Sequence, residues 1–388
     1  MRTKNITILG STGSLGTQAL EVVSCTEDVK VLALAARRDI DKLEKQIHAF
    51  APEAAALENE ALALELKRRL GSCKTEILAG REGVLTAAGL GHKKDAGLVI
   101  NCMVGAAGLE PTMAALEAGS DLALANKESL VMAGRLVMAK AKEKNVRILP
   151  VDGEHSAVFQ CLRGNEIESV RKIILTASGG PFRGFNIEQL KTVTVADALN
   201  HPVWSMGQRI TIDSSTMMNK GLEVIEAAWL FHMPLEKIGV LVHPQGVVHS
   251  MVEFDDGALM AQLGSPDMRL PIQYAINYPK RLPGPAKTID LSALSALTFE
   301  EPDTEVFPCL RLARDAFNAG GCAPAVLNGA DEEAVKLFLE GKISFTHIPE
   351  LIERTLSAYT LGKAESLEDI LSADAWARDY IANFFRAC

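Results

Sequence analysis

A short apolar strand, a glycine-rich turn and a helix follow one another at the N-terminus, and this order constrains the fold more than any other feature. Ile6–Leu9 are apolar, glycines recur at every third position over Gly10–Gly16, and apolar residues then take helical spacing over 19–23. Glycines let a backbone approach a pyrophosphate, and a helix N-terminus offers N–H groups to an anion. The segment therefore predicts the first unit of a dinucleotide-binding fold. Its G-x-x-G-x-x-G spacing differs from the commoner G-x-G-x-x-G, so a tight turn without a ligand is the competing interpretation.

Length and composition describe a globular protein of more than one domain. With 388 residues, of which 48% are hydrophobic and 23% charged, the chain is expected to form two or three domains. The formal net charge of −9 argues against nucleic-acid binding. The seven cysteines include no C-x-x-C pair, which fits free thiols in a reducing compartment. Because the first residues lead into a strand rather than an apolar leader, we expect a cytoplasmic protein without a membrane segment.

The second predicted strand indicates which dinucleotide is bound. Apolar residues over 29–36 end at Arg37, Arg38 and Asp39. At this place in the fold an acidic residue binds the ribose 2′-hydroxyl of NAD, whereas arginine suits the 2′-phosphate of NADP. Because Asp39 follows two arginines, we expect NADP. Two solvated arginines at a helix start are the alternative.

Further elements complete the predicted first domain. Residues 43–70 are rich in Ala, Leu and Glu and predict helix, interrupted around Pro52. Buried strands are predicted over 98–103, 121–125 and 146–151.

Lys127 lies between a predicted strand and a predicted helix, Ser129–Lys144. Ligands of open α/β sheets bind beyond the carboxyl ends of the strands, which is where this lysine falls. A cation at a helix start opposes the helix dipole, so Lys127 is expected to have an anionic partner. Glu128 and a bound ligand are both candidates.

Two carboxylates close the first half of the chain. Asp152 and Glu154 follow the strand over 146–151, and on an extended chain residues i and i+2 project to the same side. Neighbouring carboxylates repel each other unless a cation or a proton lies between them. A divalent metal that prefers oxygen ligands fits this pair. A solvated acidic turn is the alternative.

Polar groups gather again in the second half. A strand over 170–176 leads into Ser178-Gly179-Gly180, whose hydroxyl and N–H groups suit a phosphate. His201 and Trp204 lie in a loop that ends at Gly207, and such a loop is suited to closing over a ligand. An ordinary turn and a permanently buried Trp204 are the competing interpretations.

A helix over 216–231 carries an unusual group of polar residues. Asn219 and Glu223 share one face of it, with Lys220 adjacent, and residues 213–216 are predicted to cap it. A helix facing an apolar core would not carry this group, so it faces either solvent or a polar site. Glu223 is a candidate third carboxylate for a metal held by Asp152 and Glu154.

The rest of the chain predicts a small sheet and a helical end. Strands are predicted over 241–245, 247–253 and 258–263, with a hairpin turn at Asp255–Gly257. Their apolar residues predict burial in a homodimer interface. Residues 278–308 read as a connector, and the helices predicted after it span 310–319, 331–339, 348–357 and 369–385.

Eight motifs, taken in order, resemble the 1-deoxy-D-xylulose 5-phosphate reductoisomerase family over essentially the whole chain. They are GSTGSLG (10–16), ANKESLV (125–131), DGEHSAVFQ (152–160), TASGGPF (176–182), HPVWSMG (201–207), DSSTMMNKGLEVIEA (213–227), HPQGVVHS (243–250) and LTFEEPDTEVFPCLRLA (297–313). An ordered set is far more specific than one motif. The resemblance implies an α/β fold with a Rossmann-type NADPH domain (1–150), a central α+β catalytic and dimer-forming domain (151–280), a connector (281–309) and a C-terminal helical domain (310–388).

The resemblance also implies an activity. Members of this family isomerise 1-deoxy-D-xylulose 5-phosphate by breaking and remaking a carbon–carbon bond. NADPH then reduces the aldehyde to 2-C-methyl-D-erythritol 4-phosphate, which feeds isoprenoid synthesis. The family's Mg²⁺ or Mn²⁺ chelates substrate oxygens, because a retro-aldol cleavage develops enolate charge that a Lewis acid stabilises.

Each matching site residue has a role implied by the family's pattern. The implied metal ligands are Asp152, Glu154 and Glu223, and these with Lys127 and His201 form the implied catalytic set. The implied contacts to the substrate or its phosphate are Ser178, His201, Ser214, Asn219 and Lys220. Three residues of the catalytic set also reach the substrate: Lys127, Glu154 and Glu223. Trp204 and Met206 are the implied flap that covers the substrate. The implied NADPH contacts are Thr12, Gly13, Ser14, Leu15, Arg37, Arg38, Asn126, Glu128 and Gly207.

Three positions depart from the family's pattern. Gly153 stands where a serine usually separates the two metal carboxylates, Gly246 replaces a serine, and Ala36 stands where glycine is frequent. The change at Gly153 removes a hydroxyl contact to the substrate. We expect an active enzyme with weaker substrate binding, since a neutral hydrogen bond contributes about 0.5–1.5 kcal/mol.

Without the resemblance, two other functions fit the residues. A metal-independent NADP-dependent semialdehyde dehydrogenase would share the dinucleotide-binding half but would not need three carboxylates. A regulator that binds NADPH without turnover would keep the fold alone.

Overall fold

The computed structural model describes residues 4–93, 97–204, 206–360 and 362–387. Its strands are β1 (Lys4–Leu9), β2 (Val29–Ala36), β3 (Ala54–Leu57), β4 (Glu76–Ala79), β5 (Gly97–Asn101), β6 (Asp121–Leu124), β7 (Ile148–Pro150), β8 (Val170–Ala177), β9 (Ile238–Val242), β10 (Val248–Phe254) and β11 (Leu259–Leu263). Its α-helices are α1 (Ser14–Ser24), α2 (Ile40–Phe50), α3 (Glu60–Leu70), α4 (Gly80–Gly89), α5 (Leu109–Glu117), α6 (Lys127–Lys144), α7 (Gly153–Cys161), α8 (Ile187–Leu190), α9 (Val195–Leu199), α10 (Gln208–Ser215), α11 (Met218–Leu230), α12 (Arg269–Asn277), α13 (Cys309–Ala319), α14 (Ala323–Leu339), α15 (His347–Ala358) and α16 (Leu367–Ala387).

The chain forms two compact units. The first contains the chain up to Ser129 together with Val137–Ser156 and Asp267–Lys287. The second contains Leu130–Leu136, Ala157–Pro266 and the chain from Thr288 onward. Within the described ranges, no helix combines the length and apolar character needed to cross a bilayer. The six cysteines that the structure describes are free, as the sequence predicts, and Cys388 lies outside the described residues.

A parallel sheet of seven strands organises the first unit. Its order is β4-β3-β2-β1-β5-β6-β7. The central strands are buried over nearly their whole length, as expected of a parallel sheet covered by helices on both faces. The chain adds β2 on one side of β1 and later places β5 on the other side. This reversal next to β1 is where open α/β sheets form their ligand crevice, and it confirms the predicted Rossmann-type half.

Three local predictions in the first unit are wrong. Residues 54–57 form β3 rather than helix, because pairing with β2 and β4 overrides the helical preference of alanine. Helix α6 begins at Lys127 rather than Ser129, since the side chain of Asn126 caps it by accepting from the N–H of Ser129. Helix α7 begins at Gly153, so Asp152 and Glu154 lie at a helix start and not on an extended chain.

Helix α12, which the sequence analysis does not predict, packs in the first unit. It lies against α1, β6 and β7. The ammonium of Lys4 donates to the carbonyl of Ile276 at 2.6 Å, and Arg269 pairs with Glu21 at 3.4 Å. Ala157–Pro266, which belongs to the second unit, thus separates two segments of the first unit.

A mixed sheet of four strands organises the second unit. Its order is β11-β10-β8-β9, with β8 and β9 parallel and the other pairs antiparallel. The predicted hairpin turn joins β10 to β11, where the N–H of Ala258 donates to the carboxylate of Asp256. Helix α11 packs against β8 and β9, and α13 packs on α11. Helix α14 lies among α13, α15 and α16, which confirms the predicted helical end of the chain.

One expectation for the second unit is wrong, because residues 213–215, predicted as a cap, form the last turn of α10. This helix was not predicted from the sequence. Of the two alternatives for the polar end of α11, solvent is excluded, since Lys220 and Glu223 are both buried.

A close contact at Gly134 gives a test of the packing in the second unit. A Cβ atom added there would lie 2.2–2.4 Å from the indole of Trp229, which itself packs edge-on against Phe317. We expect Gly134→Ala to lower the free energy of unfolding by about 1–3 kcal/mol, because the ring must move to admit the methyl group. Urea unfolding followed by tryptophan fluorescence measures this. Gly89→Ala is the control, since its Cβ would meet its first neighbour only at 4.0 Å, and an equal loss in the control would contradict the packing argument.

Candidate active site

The glycine turn after β1 brings backbone to the mouth of the crevice. Gly10 has φ of 76°, and a Cβ at Gly16 would lie 2.3 Å from the carbonyl oxygen of Gly10. Both positions therefore require glycine, one for its backbone conformation and the other for the close approach of α1. Gly13 is the N-cap residue of α1 and contributes no side-chain cap. The first N–H groups of the helix, at Ser14 and Leu15, thus lie at the positive end of the helix dipole, just beyond the carboxyl end of β1.

The end of β2 carries two exposed arginines. The guanidinium of Arg37 lies 3.4 Å from Glu58, and Arg38 is also exposed. The carboxylate of Asp39 caps α2, since it accepts a hydrogen bond from the N–H of Lys42 at 3.0 Å. With the acidic side chain engaged in a helix cap, the arginines are the groups at this strand end that suit a 2′-phosphate.

A buried ion pair joins the ends of β6 and β7. The ammonium of Lys127 lies 2.5 Å from Asp152, and both side chains are about nine-tenths buried. This carboxylate is the anionic partner that the position of Lys127 requires. Glu128 instead accepts from the N–H of Gly105 at 3.0 Å and from the side-chain amide of Asn126 at 2.8 Å.

The two carboxylates at the start of α7 lie together. Oxygen atoms of Asp152 and Glu154 are within 4.8 Å of each other. Burial alone would raise the pKa of Asp152, but the charges of Lys127 and His155 and the hydrogen bond from Lys127 hold it well below its ordinary value. Asp152 is therefore an anion in the folded protein, at the favourable end of a helix dipole.

In the second unit, three side chains form a small group of hydrogen-bond donors. The Nε2 atom of His201 lies 2.9 Å from the hydroxyl of Ser178 and 3.2 Å from that of Ser214. Burial lowers the pKa of His201, so its ring is neutral at pH 7. Its Nδ1 atom accepts from the N–H groups of Val203 and Trp204, which places the ring proton on Nε2. The ring thus donates toward the two hydroxyls, whose own protons can serve a bound anion.

A second polar group lies on α11. Glu223 accepts from the amide of Asn219 at 2.5 Å and forms an ion pair with Lys220. Glu223 is fully buried and Lys220 is 3% exposed. A buried carboxylate of this kind persists only when it is paired, so the three residues act as one charge-compensated group.

The loop before α10 carries the predicted flap residues. Trp204 and Met206 are half-buried. This excludes the competing interpretation in which Trp204 is permanently buried. The ring of Trp204 lies 6.5 Å from that of His249, and Gly207 is the N-cap residue of α10.

The sequence analysis missed the group that holds α10 in place. Arg209 pairs with Glu332 at 2.9 Å and Asp331 at 3.5 Å, and it donates to Asn328 at 3.3 Å. Burial raises the pKa of Asp331 to about 6, and the charge of Arg209 opposes that rise. One sequence feature could have indicated this group, namely the i,i+4 spacing of Arg209 and Asp213. In the structure the guanidinium of Arg209 lies 3.6 Å from the carboxylate of Asp213.

Comparison with protein-family profiles gives three consecutive matches. Residues 6–134 match 1-deoxy-D-xylulose 5-phosphate reductoisomerase, and residues 148–231 match a C-terminal domain of that enzyme. Residues 263–380 match the DXP reductoisomerase C-terminal domain.

Curated relatives and solved structures agree with the profiles. The chain is 54% identical over 377 residues to 1-deoxy-D-xylulose 5-phosphate reductoisomerase of Geotalea daltonii, and 52% identical over 375 residues to that of Ruminiclostridium cellulolyticum, with 97% of each chain covered in both cases. The Zymomonas mobilis enzyme in complex with NADPH superposes with a TM-score of 0.93 at 42% identity and full coverage of both chains. A DOX-P reductoisomerase in complex with NADPH, fosmidomycin and magnesium gives a TM-score of 0.92 at 39% identity, with 98% of each chain covered.

The matches span the chain from the glycine turn to the C-terminal helices and include both polar groups described above. The chain belongs to the 1-deoxy-D-xylulose 5-phosphate reductoisomerase family.

Proposed function

We propose that this protein converts 1-deoxy-D-xylulose 5-phosphate to 2-C-methyl-D-erythritol 4-phosphate with NADPH, in the non-mevalonate route to isopentenyl diphosphate. The observation that carries the proposal is the match to curated reductoisomerases at 51–54% identity over 97% of the chain. The reaction needs a dinucleotide site, a phosphate site and a cluster of oxygen ligands for a divalent cation. The metal-independent dehydrogenase would leave the paired carboxylates without a function, and we do not favour it.

For the cofactor, the glycine turn and the end of β2 supply the required chemistry. The N–H groups at the start of α1, with Thr12, Gly13, Ser14 and Leu15, would bind the pyrophosphate. Arg37 and Arg38 would bind the 2′-phosphate. The proposed set also includes Asn126, Glu128 and Gly207, the positions that match the family's cofactor contacts.

For the substrate phosphate, the donors around His201 fit best. A neutral Nε2–H and the hydroxyls of Ser178 and Ser214 are pre-arranged by the ring's two backbone hydrogen bonds. Asn219 and Lys220 complete the proposed set with an amide and a cation. Because the donors are already in place, little entropy is lost in ordering them when a ligand binds. This favours binding of a small, highly charged group such as a phosphate.

The divalent cation would be held by Asp152, Glu154 and Glu223. The donors fit such an ion, because all three are carboxylates and hard cations prefer oxygen ligands. Asp152 and Glu223 each have a lysine beside them, so both sites already accommodate positive charge. When bound, the ion supplies a Lewis acid at the substrate oxygens. Lys127 would then be free to turn from Asp152 toward the substrate.

The remaining residues control access and proton position. Trp204 and Met206 would cover the substrate and exclude water, which protects a reactive aldehyde from side reactions. The tautomer of His201 holds its proton on Nε2, toward the hydroxyls of Ser178 and Ser214 that would bind the phosphate. We further propose the functional division at residues 150, 280 and 309 and a cytoplasmic location.

Metal dependence is the first test. We expect purified protein to oxidise NADPH on addition of the substrate only when Mg²⁺ or Mn²⁺ is present. Glu154→Gln should weaken Mn²⁺ binding, measured by electron paramagnetic resonance, by at least about tenfold, because it removes a proposed ligand. Glu166→Gln, at an exposed carboxylate, is the control. Full activity after complete metal removal would restore the dehydrogenase interpretation, and no activity under any condition would favour the regulator.

Cofactor choice is the second test. The double variant Arg37→Ala/Arg38→Ala should lose about 10- to 100-fold in kcat/KM for NADPH, since each arginine makes charge-assisted hydrogen bonds to the 2′-phosphate. The value for NADH should not change. Arg68→Ala, at another exposed arginine, should behave like wild type for both cofactors. An equal loss with NADPH and NADH would refute a role in phosphate recognition.

The departure at Gly153 gives a third test. A Cβ added at Gly153 has no neighbour within 4 Å, so a serine fits without strain. We expect Gly153→Ser to lower KM for the substrate about 2- to 10-fold by restoring one hydrogen bond. Gly153→Ala has nearly the same shape without the hydroxyl and should stay near wild type. If the serine and alanine variants have the same KM, the missing hydroxyl does not limit binding.

Homodimerisation is the fourth proposal. It is supported by β11, an edge strand on which Leu259 is 56% and Met260 is 43% exposed. Large exposed apolar side chains on a sheet edge favour pairing with another chain. Light scattering should give twice the mass of one chain for wild type. The variant Leu259→Asp/Met260→Asp should shift toward one chain's mass, whereas Leu64→Asp, at an exposed leucine of the first unit, should not. A monomeric wild type would contradict the proposal.

A further inference from the structure

Helix α10 carries parts of the proposed substrate site at both of its ends. Gly207, its N-cap residue, ends the loop that contains Trp204 and Met206. Ser214 lies in its last turn, with its hydroxyl 3.2 Å from Nε2 of His201. A shift of this helix would therefore displace the Ser214 hydroxyl and the end of the loop together.

The sequence of α10 does little to hold the helix by itself. It has eight residues, and Gly207 offers no side-chain cap to its first N–H groups. Helices shorter than about 12 residues are marginal in isolation, so tertiary contacts decide where this one lies. Its first turn contains no acidic residue and carries Arg209, a cation that opposes the helix dipole. Arg209 at this position therefore needs anionic partners.

Helix α14 supplies such partners. The guanidinium of Arg209 lies 2.9 Å from the carboxylate of Glu332 and 3.5 Å from that of Asp331. It also donates to the side-chain oxygen of Asn328 at 3.3 Å. Asp331 is fully buried, and the side chain of Arg209 is only 16% exposed. Because a planar guanidinium bonds carboxylates in a defined geometry, these contacts fix the orientation of α10 as well as its distance from α14.

The acceptors on α14 are also held by α16. Arg378 pairs with Glu332 at 2.9 Å and with Asp374 at 2.7 Å. The amide of Asn328 donates to Glu332 at 3.1 Å and to Asp374 at 3.0 Å. Arg209 thus docks on side chains that a second set of hydrogen bonds already orders, which makes the position of α10 precise.

We propose that Arg209 is a positioning residue for the substrate phosphate, because it fixes the first turn of α10 against α14 and so places the Ser214 hydroxyl beside His201. The proposal rests on the proposed function, which assigns Ser178, His201 and Ser214 to that phosphate. Arg209 acts through Ser214, since its own guanidinium bonds the side chains of α14. A hydrogen bond weakens steeply as its geometry departs from the optimum, so a small displacement of α10 weakens phosphate binding.

Replacing the guanidinium tests this role. Arg209→Met should raise KM for 1-deoxy-D-xylulose 5-phosphate and the inhibition constant of inorganic phosphate about 3- to 10-fold each, the effect of one lost hydrogen bond. KM for NADPH should not change. Arg209→Lys keeps the charge and should recover part of the loss. Arg311→Met is the control, because this exposed arginine of α13 also faces two carboxylates, at 3.2 and 3.3 Å, and should behave like wild type.

A double-mutant cycle separates positioning from general packing. If Arg209 acts through Ser214, the variant Arg209→Met/Ser214→Ala should bind inorganic phosphate no more weakly than the poorer single variant. Losses that multiply would overturn the positioning role. An unchanged phosphate constant in Arg209→Met, or an equal rise of KM for NADPH and for the sugar phosphate, would overturn it as well.

A charge-balanced variant covers the case in which Arg209→Met does not fold, since it leaves buried carboxylates without their cation. Arg209→Gln/Asp331→Asn removes one charge of each sign and loses the same anchor. It should show the same rise of the phosphate constant once circular dichroism confirms native helix content, and a wild-type constant would refute the proposal. A wild-type protein that does not turn over the substrate would overturn the proposed function. An active wild type with an unaffected Arg209→Met variant would overturn this proposal alone.

Discussion

The need to neutralise buried carboxylates shapes the polar groups within each unit. Asp152 lies beside Lys127 in the first unit, and Glu223 lies beside Lys220 in the second. A carboxylate removed from water is costly unless a cation or several donors compensate it. The lysines supply that compensation in the protein alone. Any cation that binds these carboxylates therefore enters a place already prepared for positive charge, and it competes with an ammonium rather than with water alone.

The sheet of the first unit explains why residues far apart in sequence serve one crevice. The glycine turn follows β1, residues 102–108 follow β5, and Lys127 follows β6, and these three strands are neighbours. All are parallel, so their carboxyl ends meet at one edge. A single sheet thus brings the glycine turn, the loop after β5 and a buried cation to one edge without any of them being adjacent in the chain.

Features with a local physical cause could be predicted from the sequence. The glycine turn, the arginines after β2, the hairpin at Asp255–Gly257 and the C-terminal helices belong to this class, because backbone conformation or short-range periodicity specifies them. Features that depend on tertiary pairing were missed. The run at Ala54–Leu57 is a strand only because β2 and β4 flank it, and the polar end of α11 is buried only because Lys220 and Glu223 neutralise each other. The start of α7 was missed because the apolar strand pattern continues to Val151. Pro150, which interrupts strands, and Asp152, a residue type that often precedes helices, were the available signals.

The hydrogen bonds at Nδ1 of His201 link a proton to the order of a loop. That nitrogen accepts from the N–H groups of Val203 and Trp204, and it can do so only while it carries no proton. Protonating the ring would turn the acceptor into a donor and release both backbone groups at once. The same imidazole that faces the Ser178 and Ser214 hydroxyls through Nε2 therefore also holds the beginning of the segment that carries Trp204. Acidification, by this route, would loosen the loop that carries Trp204 in the same step that adds a positive charge beside the two hydroxyls.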